Sequence, residues 1–263
     1  MERRDFLLGI GGVAAASIAA ADTLDKKADL LEEHMSRALD DGRRVTTPWA
    51  CDAGHEISEA MPPAGPPFLM GNDPRLPEMP ARPTLVDFLT LRVKSRHLLQ
   101  SANLALKNGH EEKIVLACLL HDISVKCLIR TDHGYWASQL LEPYVDPEIA
   151  WAIRYHQALR FYPDPAVHYE YPQAYLRFFG ADYKPQPYIE AAYKSARAHK
   201  WYMSARLITL NDLYAFDPAV TVTLDPFIDI IGRHFRQPAE GLGFDGSPVA
   251  HMWRSIIWPD NFL

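Results

Sequence analysis

Cysteine is scarce in this chain of 263 residues, which contains only Cys51, Cys118 and Cys127. Their spacing fits neither a zinc knuckle nor a CxxC motif, and three cysteines cannot all pair within one chain. Cys118 lies in an apolar stretch where a small buried hydrophobic residue is expected. We therefore assign the cysteines no function. In an oxidising compartment, one disulfide bond between two of them is an alternative.

The chain also lacks a positive charge excess and a long apolar run. It has 27 basic and 33 acidic residues, a net charge of −6, so charge alone draws it neither to nucleic acid nor to anionic lipid. Beyond the N-terminus no segment has 18 consecutive apolar residues, so we expect no stable membrane association. With 48% hydrophobic and 23% charged residues, the composition is that of a globular protein.

The first 21 residues, MERRDFLLGIGGVAAASIAAA, are predicted to be an export signal. They combine a basic start, an apolar run of small residues and an A-x-A-like end. The segment RRDFL at 3–7 resembles the twin-arginine pattern, whose pathway exports folded proteins. A Sec signal and an uncleaved anchor are the alternatives. We expect the remaining chain to be periplasmic or otherwise exported.

The rest of the chain divides by composition and periodicity. Residues 24–40 form an amphipathic pattern, and nine prolines between 46 and 83 predict an extended arm that wraps the following domain. Apolar spacings of three and four from Thr84 onward predict an all-α domain over 84–218, followed by a C-terminal helix and tail over 219–263. Helices are expected at 84–108, 111–124, 132–144, 147–161, 188–217 and 225–236, with an aromatic stretch over 162–187.

Histidine is the one residue type in excess, with 11 copies, and imidazole is the commonest metal ligand. Six ligand-type residues fall on the apolar faces of five predicted helices. For example, His156 follows Ile149, Ala152 and Ile153. The six residues are His97, His121, Asp122, His133, His156 and Asp212.

A buried carboxylate without a partner costs several kcal/mol, so these two aspartates in an apolar interior predict bound cations. Six ligands suffice for two metal ions that share a carboxylate. We assign His97, His121, Asp122 and Asp212 to the first ion, and Asp122, His133 and His156 to the second. Imidazole and carboxylate without thiolate suit iron, manganese or zinc. The alternative is that each histidine is a separately satisfied core residue.

Five sequence segments share a pattern with a known superfamily: RHLLQSANLALKNG, IVLACLLHDI, DHGYWASQLLEPYV, AIRYHQALRFY and RLITLNDLYAFDP. Over 84–218 the chain resembles the HD-domain superfamily, which has a His, then His-Asp, then a distal Asp on a helical bundle. His133 and His156 place the resemblance among its dinuclear members. It is most similar to the mixed-valent diiron oxygenases, namely the phosphonate-cleaving HD oxygenases and, more distantly, myo-inositol oxygenase.

This resemblance implies an Fe(II)/Fe(III) pair that oxidises a C–H bond of a small polar or anionic substrate with O₂. Arg160, four residues after His156, matches a lysine that holds the substrate's anionic group in the phosphonate enzymes. Lys126 lies four residues past Asp122 and is a second candidate. The resemblance thus names Asp122, Lys126 and Arg160 as catalytic, the last two also binding substrate, although both could be surface cations.

The chain also departs from the family pattern. HDIG is HDIS here, with Ser124 in place of glycine, and the loop before His97 lacks the Tyr and Glu of the phosphonate enzymes. The 56-residue interval from His156 to Asp212 looks more like the oxygenases than like compact HD phosphohydrolases. A dinuclear phosphohydrolase acting on a phosphoester is the alternative function, since redox-inert ions in the same site would hydrolyse rather than oxidise. A binding protein without turnover is a third.

Overall fold

The computed structural model describes residues 26, 29–34, 37, 76–93, 95–127 and 132–258, with the side chains of 126, 127, 174, 177 and 178 left aside. Within these ranges the chain is helical and no residue belongs to a β-strand, which confirms the all-α class. The helices are α1 (Leu85–Leu91), α2 (Arg96–Lys107), α3 (Glu112–Leu120), α4 (Ile123–Cys127), α5 (His133–Leu141), α6 (Pro147–Leu159), α7 (Gln173–Phe179), α8 (Pro187–Arg197), α9 (Tyr202–Leu213), α10 (Ile228–His234) and α11 (Ala250–Ile257), with 3₁₀ turns at Pro165–Val167 and Asp225–Phe227.

Local sequence explains where several helices begin and end. Thr84 and Asp87 form a reciprocal capping box before α1, in which each side chain accepts from the other's backbone N–H. Asp146 caps α6 ahead of Pro147 at the first helical position. Gly109 follows α2 with a φ of 70°, a left-handed conformation that favours glycine. These signals make the start of α1, the end of α2 and the start of α6 properties of the local sequence.

In the structure, each of two expected long helices is divided into two shorter helices. Within the expected helix over 84–108, α1 ends at Leu91 and α2 begins at Arg96; just after α1 the Arg92 guanidinium donates to the carbonyl oxygens of Ile257 (2.7 Å) and Pro77 (2.8 Å). The expected helix over 188–217 breaks between α8 and α9. There the His199 ring stacks on Trp151 with ring centroids 4.2 Å apart. Tertiary contacts therefore interrupt both helical patterns.

The predicted helix over 111–124 is also interrupted, at the His-Asp step itself. Helix α3 ends at Leu120 and α4 begins at Ile123, so His121 and Asp122 occupy the turn between them. The aromatic stretch over 162–187 holds a 3₁₀ turn and α7. It is anchored by the fully buried Arg206, which donates to the carbonyl oxygens of Leu159 and Tyr162, both at 3.0 Å.

Helix α6 lies at the centre of the bundle and packs against α3, α5, α8 and α9, while α2 packs against α3 and α9. This arrangement brings the inner faces of α2, α5, α6 and α9 to the α3–α4 turn. The six predicted ligands lie on these elements. The packing of an apolar core thus assembles side chains that are up to 115 residues apart in the chain, as for His97 and Asp212.

The segments that flank the bundle share its core. Met79 is buried, the Pro83 carbonyl oxygen accepts from the Leu242 backbone N–H at 2.8 Å, and the Trp253 ring packs edge-on against Phe88 with centroids 5.2 Å apart. Helices α10 and α11 both contribute to this core, where the sequence predicted one closing helix and a tail.

The described residues of the predicted helix over 24–40 are helical, and Leu31 among them is buried. The predicted export signal and most of the Pro-rich arm lie outside the described residues, and so does Cys51. Cys118 is buried as expected, and burial raises the pKa of its thiol to about 12. Among the helices described, none combines the length and the apolar character needed to cross a membrane.

Candidate metal centre

Three ligand atoms from α2, the α3–α4 turn and α9 converge at one point. The Nε2 atoms of His97 and His121 lie 3.2 Å apart, and Asp212 Oδ1 lies 3.0 Å from the first and 3.4 Å from the second. His121 is fully buried, and Asp212 is nearly so. These are three of the four residues that the sequence assigned to a first ion.

A second triangle lies beside the first. The Nε2 atoms of His133 and His156 are 3.2 Å apart, and Asp122 Oδ1 is 3.1 Å from His133 Nε2 and 3.6 Å from His156 Nε2. These are the three residues that the sequence assigned to a second ion. Helices α5 and α6 position the two imidazoles, and the α3–α4 turn supplies the carboxylate.

Asp122 lies between the two triangles and reaches both. Its Oδ1 atom faces His133 and His156, while its Oδ2 atom lies 3.6 Å from His97 Nε2. His121 Nε2 lies 3.5 Å from Asp122 Oδ1. The carboxylate of Asp122 thus faces ligand atoms of both triangles.

The separations between donor atoms match those around a bound metal ion. Metal–nitrogen and metal–oxygen bonds of about 2.1 Å place two ligands about 3.0 Å apart at a right angle and about 3.4 Å apart at a tetrahedral angle. The three separations in the first triangle are 3.2, 3.0 and 3.4 Å. Those in the second are 3.2, 3.1 and 3.6 Å. Both triangles therefore have the dimensions of a coordination sphere.

Hydrogen bonds at the far side of three histidines fix which ring nitrogen faces the centre. The Nδ1 atoms of His97, His121 and His156 lie 3.1, 2.7 and 2.6 Å from the carbonyl oxygens of Ala215, Cys118 and Ile153, respectively. A carbonyl oxygen can only accept, so each Nδ1 carries a proton and donates it. In the neutral ring Nε2 is then a bare acceptor, which is the form that binds metal.

Two carboxylate oxygens at the centre lack hydrogen bonds. Asp122 Oδ1 and Asp212 Oδ1 are both buried, and neither accepts a hydrogen bond as long as the facing imidazoles are neutral. A buried acceptor without a partner costs about 1–3 kcal/mol, and more when it is charged. Each orphaned oxygen faces imidazole Nε2 atoms, which are acceptors in the neutral rings, so a cation satisfies all of them at once. The buried His and Asp groups are therefore able to bind metal ions.

Without metal, a proton on a histidine balances part of the negative charge of the two carboxylates. Burial opposes protonation of His97, but hydrogen bonds to Asp122 and Asp212 outweigh it and raise the pKa of His97 to about 10. Burial would raise the pKa of both carboxyls, yet His121 and His133 beside Asp122, and Arg160 beside Asp212, hold each pKa well below its usual range. Burial lowers the pKa of His156 to about 4. In the metal-free centre the two carboxylates thus lie opposite a protonated His97.

Arg160 lies at the C-cap of α6, and its guanidinium reaches the first triangle from behind. Its Nε and Nη2 atoms both donate to Asp212 Oδ2, the former at 3.0 Å. This pairing leaves Asp212 Oδ1 for the centre, and within the described chain Nη1 makes no hydrogen bond. The predicted contact of Arg160 with a substrate stays a prediction. Lys126 lies in α4, and its side chain is outside the described residues.

Three further residues support the centre and were not predicted to do so. The Ser124 hydroxyl donates to the His133 carbonyl oxygen at 2.8 Å, and the Thr209 hydroxyl donates to that of His156 at 3.2 Å. The sequence showed Ser124 as a departure from HDIG, but it did not show that the hydroxyl bonds to His133. The third, Tyr175 of α7, lies in the electrostatic field of Arg160 and Asp212, and burial raises its pKa to about 12.

No protein-family model matches this chain, and no curated protein matches it either. What the chain does is therefore inferred from the centre itself and from the resemblance of its motifs.

Proposed function

We propose that this protein is a dinuclear metal-dependent enzyme of the HD-domain type. Specifically, we propose a diiron oxygenase that oxidises a C–H bond of a small polar or anionic substrate with O₂. The observation that carries the dinuclear part is the pair of orphaned, buried oxygens, one in each triangle, on Asp122 and Asp212. A single cation would satisfy one triangle only, and the carboxylate oxygen of the other would then need a proton on a facing imidazole as its partner.

Bound as an Fe(II)/Fe(III) pair, the metal would supply one-electron redox chemistry and activation of O₂. The protein's own part is to hold the ligands in place. Three imidazoles are oriented by their Nδ1 donors to backbone carbonyls, and His133 is held by Ser124 through its carbonyl oxygen. Such outer contacts fix ring orientation and tautomer.

Access to the centre supports a small substrate. His121 and His156 are fully buried, whereas the side chains of His97, Asp122 and Arg160 are 13%, 16% and 19% exposed. Among the described residues of the centre, these three are the most exposed, so a small substrate and O₂ would approach beside them.

Arg160 supports an anionic group on this substrate. Two of its nitrogen atoms are committed to Asp212, but Nη1 makes no hydrogen bond to any described residue and is able to donate to an anion. The guanidinium also stays charged, because Asp212 raises its pKa above the usual range against the effect of burial. Arg160 would thus orient the substrate and hold Asp212 at the same time.

The oxygenase, rather than the phosphohydrolase, is favoured by the resemblance and by the long insert before Asp212. That insert contributes Tyr175, whose phenol is protonated at neutral pH and whose pKa burial raises further, to about 12. A protonated phenol does not bind metal as an anion, but it is able to donate a hydrogen bond. The resemblance implies that the compact hydrolases of the superfamily lack an insert of this length.

The test is an electron paramagnetic resonance spectrum of the iron-loaded protein after partial reduction, with oxygen uptake followed on a panel of small phosphonates, hydroxy acids and polyols. We expect the signal of a spin-coupled Fe(II)/Fe(III) pair and substrate-dependent O₂ consumption. The Asp122→Asn variant should lose both, and His251→Ala, which removes an exposed histidine on α11, should keep both. Full turnover of a phosphoester with zinc or manganese and no O₂ uptake would overturn the oxygenase in favour of the hydrolase.

A further inference from the structure

A cavity outside the metal centre lies between α5, α6 and α8. Its volume is about 600 Å³. None of the six residues of the metal centre lines it. Its walls include four aromatic side chains, one cation and one amide: Tyr135, Trp136, Tyr155, Tyr188, Arg154 and Gln157. A cavity of this size falls in the range of small-molecule sites, which combine apolar walls with a few polar groups.

Arg154 is the main polar feature of the cavity. Its guanidinium carbon lies 5.1 Å from the ring centroid of Tyr135 and 5.7 Å from that of Tyr155. The two rings hold the side chain against α5 and α6 through cation–π contacts. Within the described part of the chain, this guanidinium has neither a hydrogen bond nor an ion pair. Its donors are therefore available to a ligand.

The cavity contains one carboxylate, and it is already engaged. Asp132 Oδ1 accepts a hydrogen bond from the Tyr188 hydroxyl at 3.0 Å, across the cavity from α8 to the start of α5. No ion pair joins Asp132 to Arg154 in the described part of the chain, but the negative charge of Asp132 lies in the same cavity. A ligand with one negative charge balances the guanidinium. A dianion such as a phosphate monoester would face repulsion from Asp132.

We propose that this cavity binds a flat aromatic ligand that carries a single carboxylate. The four aromatic side chains provide faces for offset or edge-on stacking. The guanidinium provides the paired donors that match carboxylate geometry. The proposal goes beyond the metal-dependent reaction, since the cavity does not include the metal ligands and binding there needs no metal.

The cavity nevertheless adjoins the second triangle. Asp132 and Gln157 line it, and they directly precede His133 and follow His156 in the chain. The Gln157 Oε1 atom accepts from the Gly134 backbone N–H at 3.4 Å, which links α6 to α5. A ligand in the cavity therefore contacts neighbours of two metal-binding histidines without touching their rings.

The test is isothermal titration of the full protein with 2-naphthoate, a flat aromatic monocarboxylate, and with 2-naphthamide, its uncharged analogue. We expect saturable one-to-one binding of 2-naphthoate to both the metal-loaded and the chelator-treated protein, and much weaker binding of the amide. Because the chelated protein is included, failure here is distinguishable from failure of the proposed oxygenase.

Two variants and one control make the test specific. Arg154→Gln should weaken 2-naphthoate binding by about ten-fold or more, since a charge-assisted hydrogen bond is lost. Ala192→Leu, which fills the cavity from α8, should abolish binding. Arg82→Gln removes an exposed charge outside the cavity and should leave the affinity unchanged. The proposal is overturned if wild type shows no saturable binding, if Arg154→Gln binds as tightly as wild type, or if the amide binds equally well.

Discussion

Replacing His156 with alanine removes one imidazole from the second triangle and leaves the first intact. His156 is fully buried, its Nε2 atom lies 3.2 Å from His133 Nε2, and its Nδ1 atom donates to the Ile153 carbonyl oxygen. It has no ligand atom in the first triangle. We therefore expect the variant to bind one metal ion per chain where the wild-type protein binds two, and to lose any reaction that needs both.

The size of the stability change follows from what the imidazole contacts. In the metal-free protein the variant loses one buried hydrogen bond and some packing, about 1–3 kcal/mol of unfolding free energy. In the loaded protein it also loses the stabilisation from the second ion, about 2.7 kcal/mol when free metal is at a hundred times its dissociation constant. The loaded protein should thus lose about 4–6 kcal/mol, clearly more than the metal-free protein.

The assay is urea denaturation of both forms together with metal analysis of the purified variant. His251→Ala is the matched control, because His251 is an exposed histidine of α11 outside the centre, and it should change neither quantity. If His156→Ala retains two ions and full turnover, then the ligand assignment is wrong and His156 is a satisfied core residue. Equal losses in the loaded and metal-free forms would also contradict the assignment.

Arg160→Met should destabilise the metal-free protein by about 3–5 kcal/mol, because it leaves Asp212 as an unpaired buried charge, and the loaded protein by less; equal losses in urea would count against this. Gly134→Ala places a Cβ atom 2.8 Å from the Ile153 carbonyl oxygen, so it should lower the unfolding free energy by about 1–3 kcal/mol. It should also lower the affinity for the second ion in a metal titration, and an unchanged affinity would refute this. Since the pKa of His97 is raised from 6.5 to about 10, the metal-free fold should lose stability as the pH rises from 6.5 to 10. The first ion should release about one proton at pH 8, measured calorimetrically in two buffers; no release would contradict this.

The residues of the centre could be predicted from the sequence because they interrupt apolar helix faces. A polar ligand on a face that is otherwise Ile, Leu and Ala, as His156 is, must lie in the interior of a helical bundle. Several such faces in one domain share one core, which is why the structure brings the six side chains together. Their division into two triangles around Asp122 followed from the number of ligands that one ion needs.

The helix boundaries and the partners of Arg160 could not be predicted in the same way. The break between α8 and α9 contains neither Gly nor Pro, and it coincides with the stacking of His199 on Trp151, 48 residues away. Likewise, Arg160 pairs with Asp212 across 52 residues, a contact that no local pattern encodes. Periodicity reports which face of a helix is buried, and it does not report which side chains meet there.

The metal content of the protein tests the central claim most directly. The chain, reconstituted with iron(II) under anaerobic conditions and freed of loosely bound metal, should contain two ions per chain by inductively coupled plasma mass spectrometry. This follows from two ligand triangles, each with an orphaned carboxylate oxygen. A ratio of one at full occupancy would remove the dinuclear centre, and a ratio of zero would mean that the buried histidines and aspartates do not bind metal at all.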